Sequence, residues 1–447
     1  MDRRAFVKRS AAVAGAVAIG DALVAPEPAD AQQRQETEAP LPEAVRRLRP
    51  MSPPVTPISD EERLARIEKA RGLLRENGMA AMFLEPGSSM FYYTGVRWGL
   101  SERPFGVLIP ATGDLAYITP AFEEERGREL IKFSNDVRVW QEDESPYRLV
   151  ADILRDRGIA TGKVGFEERL RFFIAEGIRK EAPQLEFAIA TPVTAGCRMF
   201  KSASEIALMQ RAADITIAAY RASFPSLHPG MKQGEMARII AAAMQKLGGE
   251  GGGALVLFGV SSAFPHGTTK PAALHEGDIV LIDGGCSVEG YASDITRTTV
   301  LGTPSQRQRD IWDLEKRAQT AAFKAARIGA TCESVDAAAR NVITDAGFGP
   351  DYKLPGLPHR TGHGIGLDGH EWTNFVRGNT TPIQPGMCFS DEPTIVIPGV
   401  FGIRLEDCIH IGDDGPHFFT EQSPAIDQPF PAASRATTAG QERGGGP

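Results

Sequence analysis

A chain of 447 residues with 42% hydrophobic and 24% charged residues has room for two or three domains and the make-up of an ordinary soluble globular enzyme. A net charge of −8 excludes a broadly basic surface, and with it nucleic acid as the main partner. Beyond the N-terminal residues no apolar run is long enough to span a bilayer, so no membrane association is expected of the mature chain.

The first residues read as an export signal. Arg3-Arg4-Ala5-Phe6-Val7-Lys8 is followed by an apolar run from Ala11 to Ala25 and by Ala29-Asp30-Ala31, which is the order of charged, hydrophobic and small-residue regions. The paired arginines before Phe-Val-Lys resemble a twin-arginine signal, which implies removal of residues 1–31 and a periplasmic or secreted product. Residues 32–57, rich in Pro, Glu and Arg, read as an exposed linker.

A first α/β domain is expected over 58–196. Its first helix starts at Ser59-Asp60-Glu61-Glu62, where a cap residue precedes acids, with Leu64, Ile67, Ala70 and Leu73 at helical spacing. Strands follow at Ala80–Glu85, Phe105–Ile109 and Leu115–Ile118, then a helix at Tyr147–Arg157, a strand at Val164–Phe166 and a helix from Phe172. An α+β second domain is expected over 197–420, with helices at Lys201–Phe224, Gly234–Leu247, Gln306–Arg327 and Cys332–Ala346. Two strand-rich blocks, 278–301 and 386–411, complete it, and 421–447 reads as a disordered tail. Five cysteines, odd in number and without a C-x-x-C pair, read as buried small hydrophobes.

The chemistry concentrates in those two blocks. Leu281-Ile282-Asp283 and Tyr291-Ala292-Ser293-Asp294 flank a turn at Val288-Glu289-Gly290, which places Asp283 close to opposite Asp294 on a hairpin. Like charges facing one another destabilise a hairpin unless a cation separates them. Glu392 and Glu406 repeat the arrangement around Pro398-Gly399, with Asp391 and Asp407 beside them as supporting or exposed residues. Between the blocks, His359-Arg360-Thr361-Gly362-His363-Gly364-Ile365-Gly366-Leu367-Asp368-Gly369-His370 holds three of the eight histidines on a glycine-rich stretch unsuited to a helix. Four carboxylates converging in a cleft require compensating cations, and two divalent ions with one imidazole satisfy that account. Oxygen-rich ligation with a single nitrogen suits Mn²⁺, Co²⁺ or Zn²⁺ and does not choose among them. Paired metals activate a bridging water as hydroxide and polarise a carbonyl, which is equipment for cleaving an amide.

The ordered set Asp283, Asp294, His363, Glu392, Glu406 resembles the pita-bread superfamily of methionine aminopeptidase, aminopeptidase P, prolidase and creatinase. Lys201-Ser202, Glu205-Ile206, Pro229-Gly230-Met231, Phe264-Pro265-His266-Gly267 and Gly277-Asp278-Ile279-Val280 support it. The N-terminal region, with Phe91-Tyr92-Tyr93-Thr94-Gly95, is similar to the smaller domain of the proline-specific and creatinase branch. The resemblance implies that Asp283 binds one metal, that Asp294 and Glu406 bridge both, and that His363 and Glu392 complete the other. It implies Glu392 as proton shuttle, His266 and His370 as catalytic residues at the tetrahedral intermediate, and His359 and Arg404 along the substrate pocket. It also implies a homodimer or higher homo-oligomer, in which an exposed Trp98 would reach a partner's active site.

The expected activity is hydrolysis of the N-terminal bond of peptides or dipeptides, with Xaa-Pro preferred. Two departures bear on that preference: Glu392-Pro393-Thr394-Ile395-Val396 replaces Glu-Pro-Gly-x-Tyr, and Glu371 is followed by Trp372-Thr373 without a proline. A same-fold lyase or a hydrolase of a non-peptide small molecule therefore stays open, whereas creatinase activity is disfavoured because creatinase lacks the acidic ligands.

Overall fold

The computed structural model describes residues 40–432. The expected export signal, the first part of the expected linker and most of the expected tail lie outside the described residues. The linker is not simply an exposed arm: Glu43–Arg46 form a short helix (α1) that buries Val45 completely, and the Met51 amide donates to the Leu247 carbonyl at 3.0 Å. One apolar side chain in a polar stretch is enough to dock it.

Helix α2 (Asp60–Glu76) starts where its cap predicts, with the Ser59 hydroxyl accepting from the Glu62 amide and three acids in the first turn facing the positive helix end. Strand β1 (Met79–Leu84) follows, then a helix the periodicity does not reveal, α3 (Ser88–Thr94), ended by Gly95 in the left-handed region. β2 (Gly106–Pro110), β3 (Ala116–Pro120), α4 (Glu124–Leu130), β4 (Val137–Trp140), α5 (Pro146–Asp156), β5 (Gly162–Phe166), α6 (Phe172–Glu181), β6 (Leu185–Ile189) and α7 (Thr191–Arg198) complete the unit. Its six strands run in the order β4-β3-β2-β1-β5-β6. Side-chain alternation divides the sheet between two cores: Met82, Leu84, Val107 and Ile109 pack on one face, and Ala81, Phe83 and Leu108 on the other. Trp98 stacks on Phe105 at 4.3 Å with Arg126 over its ring at 4.5 Å, so its faces are engaged within its own domain.

The second unit opens with α8 (Ala203–Ser223), whose capping box joins Ser202 and Glu205, and α9 (Gln233–Leu247). Strands β7 (Glu250–Phe258), β8 (Ile279–Val288), β9 (Tyr291–Ala292) and β10 (Ile295–Val300) form one sheet, ordered β10-β8-β7 with β9 on β8. After α10 (Gln306–Ala325) and α11 (Cys332–Asp345) come β11 (Gly362–Gly364), β12 (Glu371–Phe375), β13 (Cys388–Asp391), β14 (Thr394–Ile397), β15 (Phe401–Arg404), β16 (Asp407–Gly412) and β17 (Gly415–Phe418). They build a sheet ordered β12-β11-β13-β16-β17 and the separate hairpin β14-β15. One core, including Leu281, Trp312, Val335, Phe389 and Ile409, lies between these sheets and the two central helices. This is the α+β arrangement expected.

Residues 421–432, expected in the disordered tail, pack instead: Ile426 is buried and Phe430 meets the Phe224 ring edge-on at 4.9 Å. All five cysteines are buried and free. Among the described residues no helix is long and apolar enough to cross a membrane.

Candidate metal centre

Three of the expected ligands, Asp294, Glu392 and Glu406, sit where a regular ladder stops, whereas Asp283 and His363 lie within paired strands. The turn between β8 and β9 consists of Glu289 and Gly290, both with positive φ, which pairs Val288 with Tyr291. That register places Thr296, not Asp294, opposite Asp283, which corrects the expected pairing. Asp294 lies in the break between β9 and β10, two positions from Thr296 and so on the same face. The second pair behaves as expected: β13–β16 aligns Asp391 with Asp407, β14–β15 aligns Thr394 with Arg404, and Glu392 and Glu406 fall between the two ladders in the same register.

Two isolated main-chain bonds weld the halves. The Thr296 amide donates to the Glu406 carbonyl at 3.2 Å and the Glu406 amide to the Thr296 carbonyl at 3.3 Å. The donor atoms then fall into overlapping groups. Asp283, Asp294 and Glu406 offer ligand atoms within 4.8 Å of one another, as do His363, Glu392 and Glu406, and Asp294, His363 and His370. Glu406, Asp294 and His363 each belong to two groups.

The surroundings orient the donors. His363 Nδ1 lies 3.1 Å from the Gly364 carbonyl, so that nitrogen carries the proton and Nε2 is the free donor, 3.1 Å from Glu392 Oε1 and 3.9 Å from Asp294 Oδ2. Ser390 donates to Glu392 Oε1 at 3.1 Å and accepts the His363 amide at 2.9 Å. Arg404, buried to 3% exposure, is ion-paired with Asp283 and donates to Thr296 Oγ1 at 3.1 Å and to the Pro265 carbonyl at 3.3 Å. It therefore grips an expected ligand, a contact that the sequence did not reveal.

Without cations the carboxylates cannot all ionise. Burial, then the Asp283 charge, push Asp294 up to about 8, although its side chain keeps 24% exposure to the cleft. Burial and the Asp294 charge push Glu406 well above the usual range. Burial also opposes ionisation of Glu392, but the hydrogen bond and charge of His363 outweigh it and hold Glu392 down at about 2. A set that protonates itself in the absence of metal, with one imidazole nitrogen presented unprotonated once neutral, fits divalent cations.

The remaining residues gather around the cleft. His370, exposed, stacks on the His363 ring at 3.8 Å, and its Nδ1 accepts from Arg360 Nη2 at 3.0 Å. Partial burial, His363 and Arg360 lower it to about 4, so near neutral pH the ring is uncharged with its proton on Nε2. His359 is half-buried, its Nδ1 donating to the Arg360 carbonyl at 2.7 Å and its Nε2 accepting from Thr394 at 3.1 Å. Burial holds it below the usual histidine value, with Glu392, Arg404 and His266 all within charge range. His266 is exposed on the segment after β7 and acts electrostatically on His370 too.

Asp391 and Asp407 are both buried, so exposure is ruled out for them. Asp407 accepts from Arg297 at 2.6 Å and from Gln319 at 3.0 Å. Thr296, Ser390 and Arg360 were missed in the sequence. For the first two a signal exists, since each lies two residues from a ligand and thus on the same strand face.

Residues 207–413 match the model of metallopeptidase family M24, and residues 66–200 match that of the creatinase/prolidase N-terminal domain. An uncharacterized peptidase of Schizosaccharomyces pombe is 36% identical over 388 residues, covering 81% of this chain and 82% of its own. The chain belongs to metallopeptidase family M24. The Xaa-Pro dipeptidase of Lactobacillus helveticus is 32% identical over 79% of this chain and 96% of its own. The crystal structure of dipeptidase PepE from Mycobacterium ulcerans superposes with a TM-score of 0.76 at 31% identity, covering 83% of this chain and 99% of that one. The architecture is accordingly the pita-bread catalytic domain of M24 behind a creatinase-like N-terminal domain, and the protein is a metallopeptidase of that family.

Proposed function

We propose that this M24 protein is a dinuclear-metal hydrolase of Xaa-Pro dipeptides or of the N-terminal bond of Xaa-Pro peptides. The observation that carries the reading is the overlap of the donor groups: Glu406 belongs both to the set with Asp283 and Asp294 and to the set with His363 and Glu392, so the five side chains form two sets joined at one carboxylate. Asp283 would complete one site, and His363 with Glu392 the other. Two divalent ions, Mn²⁺ first and Co²⁺ or Zn²⁺ as alternatives, would supply an activated water and a polarised scissile carbonyl.

The chain's own residues do the rest. Glu392, whose Oε1 lies 3.1 Å from His363 Nε2, takes a proton from the attacking water and returns it to the leaving amine. His370 stays neutral with Nε2–H free, so it donates a hydrogen bond to the developing oxyanion instead of titrating. His266 faces the same space as a second donor. His359, fixed at both nitrogens, gives the pocket a rigid wall, and Arg404 adds positive charge where a substrate carboxylate would arrive.

The Lactobacillus helveticus relative is named for Xaa-Pro dipeptides, which supports the same substrate class here. Purified protein lacking residues 1–31 is expected to release amino acid from Xaa-Pro dipeptides or longer Xaa-Pro peptides with Mn²⁺ or Co²⁺, and to stop with chelator. No release from any such panel at confirmed metal occupancy would sink the reading. We also propose a homodimer or higher oligomer, checked by light scattering, and export by the paired arginines. A reporter fused to residues 1–32 should lose export when Arg3→Lys and Arg4→Lys are combined.

A further inference from the structure

The loop that carries His370 is held from the other domain. Glu371 follows His370 directly and is buried, its Oε2 accepting from Lys201 Nζ at 3.0 Å and its Oε1 from the Asp368 amide at 3.1 Å. Arg198, at the end of α7 and 2% exposed, bonds Glu371 and Asp368 with one nitrogen, at 2.6 Å to the latter, and Ser89 of α3 with the other at 3.0 Å. Ser88 adds a 2.6 Å bond to Asp368, and Arg169 lies 2.9 Å from Asp368 and 3.3 Å from the His370 carbonyl. Gly366 is needed at the crossing, because a Cβ there would come within 2.8 Å of both Glu371 Oε2 and Lys201 Cε.

A planar guanidinium that spans two carboxylates fixes their separation as well as their charge. Asp368 and Glu371 bracket His370, so fixing both leaves the loop between them little freedom. The N-terminal domain thus reaches the reaction centre through Arg198, without touching it.

We propose that Arg198, with Lys201, is a positioning residue that sets the placement of the His370 imidazole against His363 by clamping Asp368 and Glu371. The proposal rests on the catalytic reading of His370 given above. Arg198→Lys keeps the buried positive charge, and with it the fold, but its shorter side chain lacks the fork that holds Ser89 with one nitrogen while the other bridges Asp368 and Glu371. Its kcat should fall roughly tenfold or more with KM and metal stoichiometry little changed. In a His370→Ala background the same substitution should change kcat less than about twofold, since residues acting through one group are not additive. An equal loss in that background would overturn the proposal. The second measurement needs no metal and no turnover: imidazole nitrogen spectra of the metal-free protein, in which the His370 signals should move in Arg198→Lys while those of His228 stay. Unmoved His370 signals would also overturn it. Were the wild type to cleave no peptide, the activity reading would fail, while the imidazole spectra would still decide the positioning.

Discussion

Thr296 donates its hydroxyl hydrogen to Glu406 Oε2 at 2.6 Å, and the same two residues exchange main-chain hydrogen bonds. A side chain on the aspartate hairpin therefore aims the carboxylate shared by both donor groups. Thr296 also accepts from Arg404, which grips Asp283, so one hydroxyl ties two ligands together. Thr296→Val keeps the shape and removes the hydroxyl. Metal affinity by calorimetry should weaken by about 10- to 100-fold, the range seen when a partner behind a ligand is lost. An unchanged affinity would mean that the main-chain bonds alone hold Glu406.

The metal-free protein should lose stability as pH rises. Asp294 is raised in the fold to about 8 from an ordinary 3.8, first by burial and then by Asp283. The folded state therefore holds a proton that the unfolded state gives up. That contribution is fully present below 3.8 and is lost as pH rises through about 8. Thermal melts in chelator between pH 5 and 9 should show a falling Tm, and Asp294→Asn should flatten the slope. Metal loading at pH 7 should release protons, measurable in buffers of different ionisation enthalpy.

Glu392→Gln and His359→Ala separate chemistry from binding. The amide cannot shuttle a proton, so turnover should drop by about 10³-fold or more. His359 touches Thr394 and the Arg360 carbonyl and no ligand directly, so its loss should raise KM more than it lowers kcat. Equal, small effects on steady-state kinetics would contradict both roles.

Gly285 marks where the aspartate hairpin closes most tightly. A Cβ there would lie 1.8 Å from the Ser293 carbonyl oxygen, a backbone atom that cannot turn aside. Gly285→Ala should force the strands apart beside Asp294, costing about 3 kcal/mol or more by urea denaturation, with metal bound more weakly. An unperturbed midpoint would show that the hairpin has slack.

The first helix cap and the turn were legible because each depends on a few neighbouring residues. Ser59 capping Glu62 and the turn at Glu289-Gly290 are local events. The Asp283–Asp294 pairing was misjudged because a two-residue turn sets a register that a count of polar residues leaves open, and a strand offset changes every partner. The docked Val45 and the packed segment around Ile426 escaped notice because single apolar residues in polar stretches carry no period.

By itself the sequence determined which side chains form the cluster that could hold metal, in what order, and the mixed architecture that presents them, since residue chemistry and short-range patterning are properties of the chain. Tertiary structure alone decided which donors share a site, that Arg404 grips Asp283, and that Arg198 reaches the His370 loop. Those contacts join residues more than a hundred positions apart. Only the burial of two sheets and two domains against one another brings such charges close enough to compel pairing.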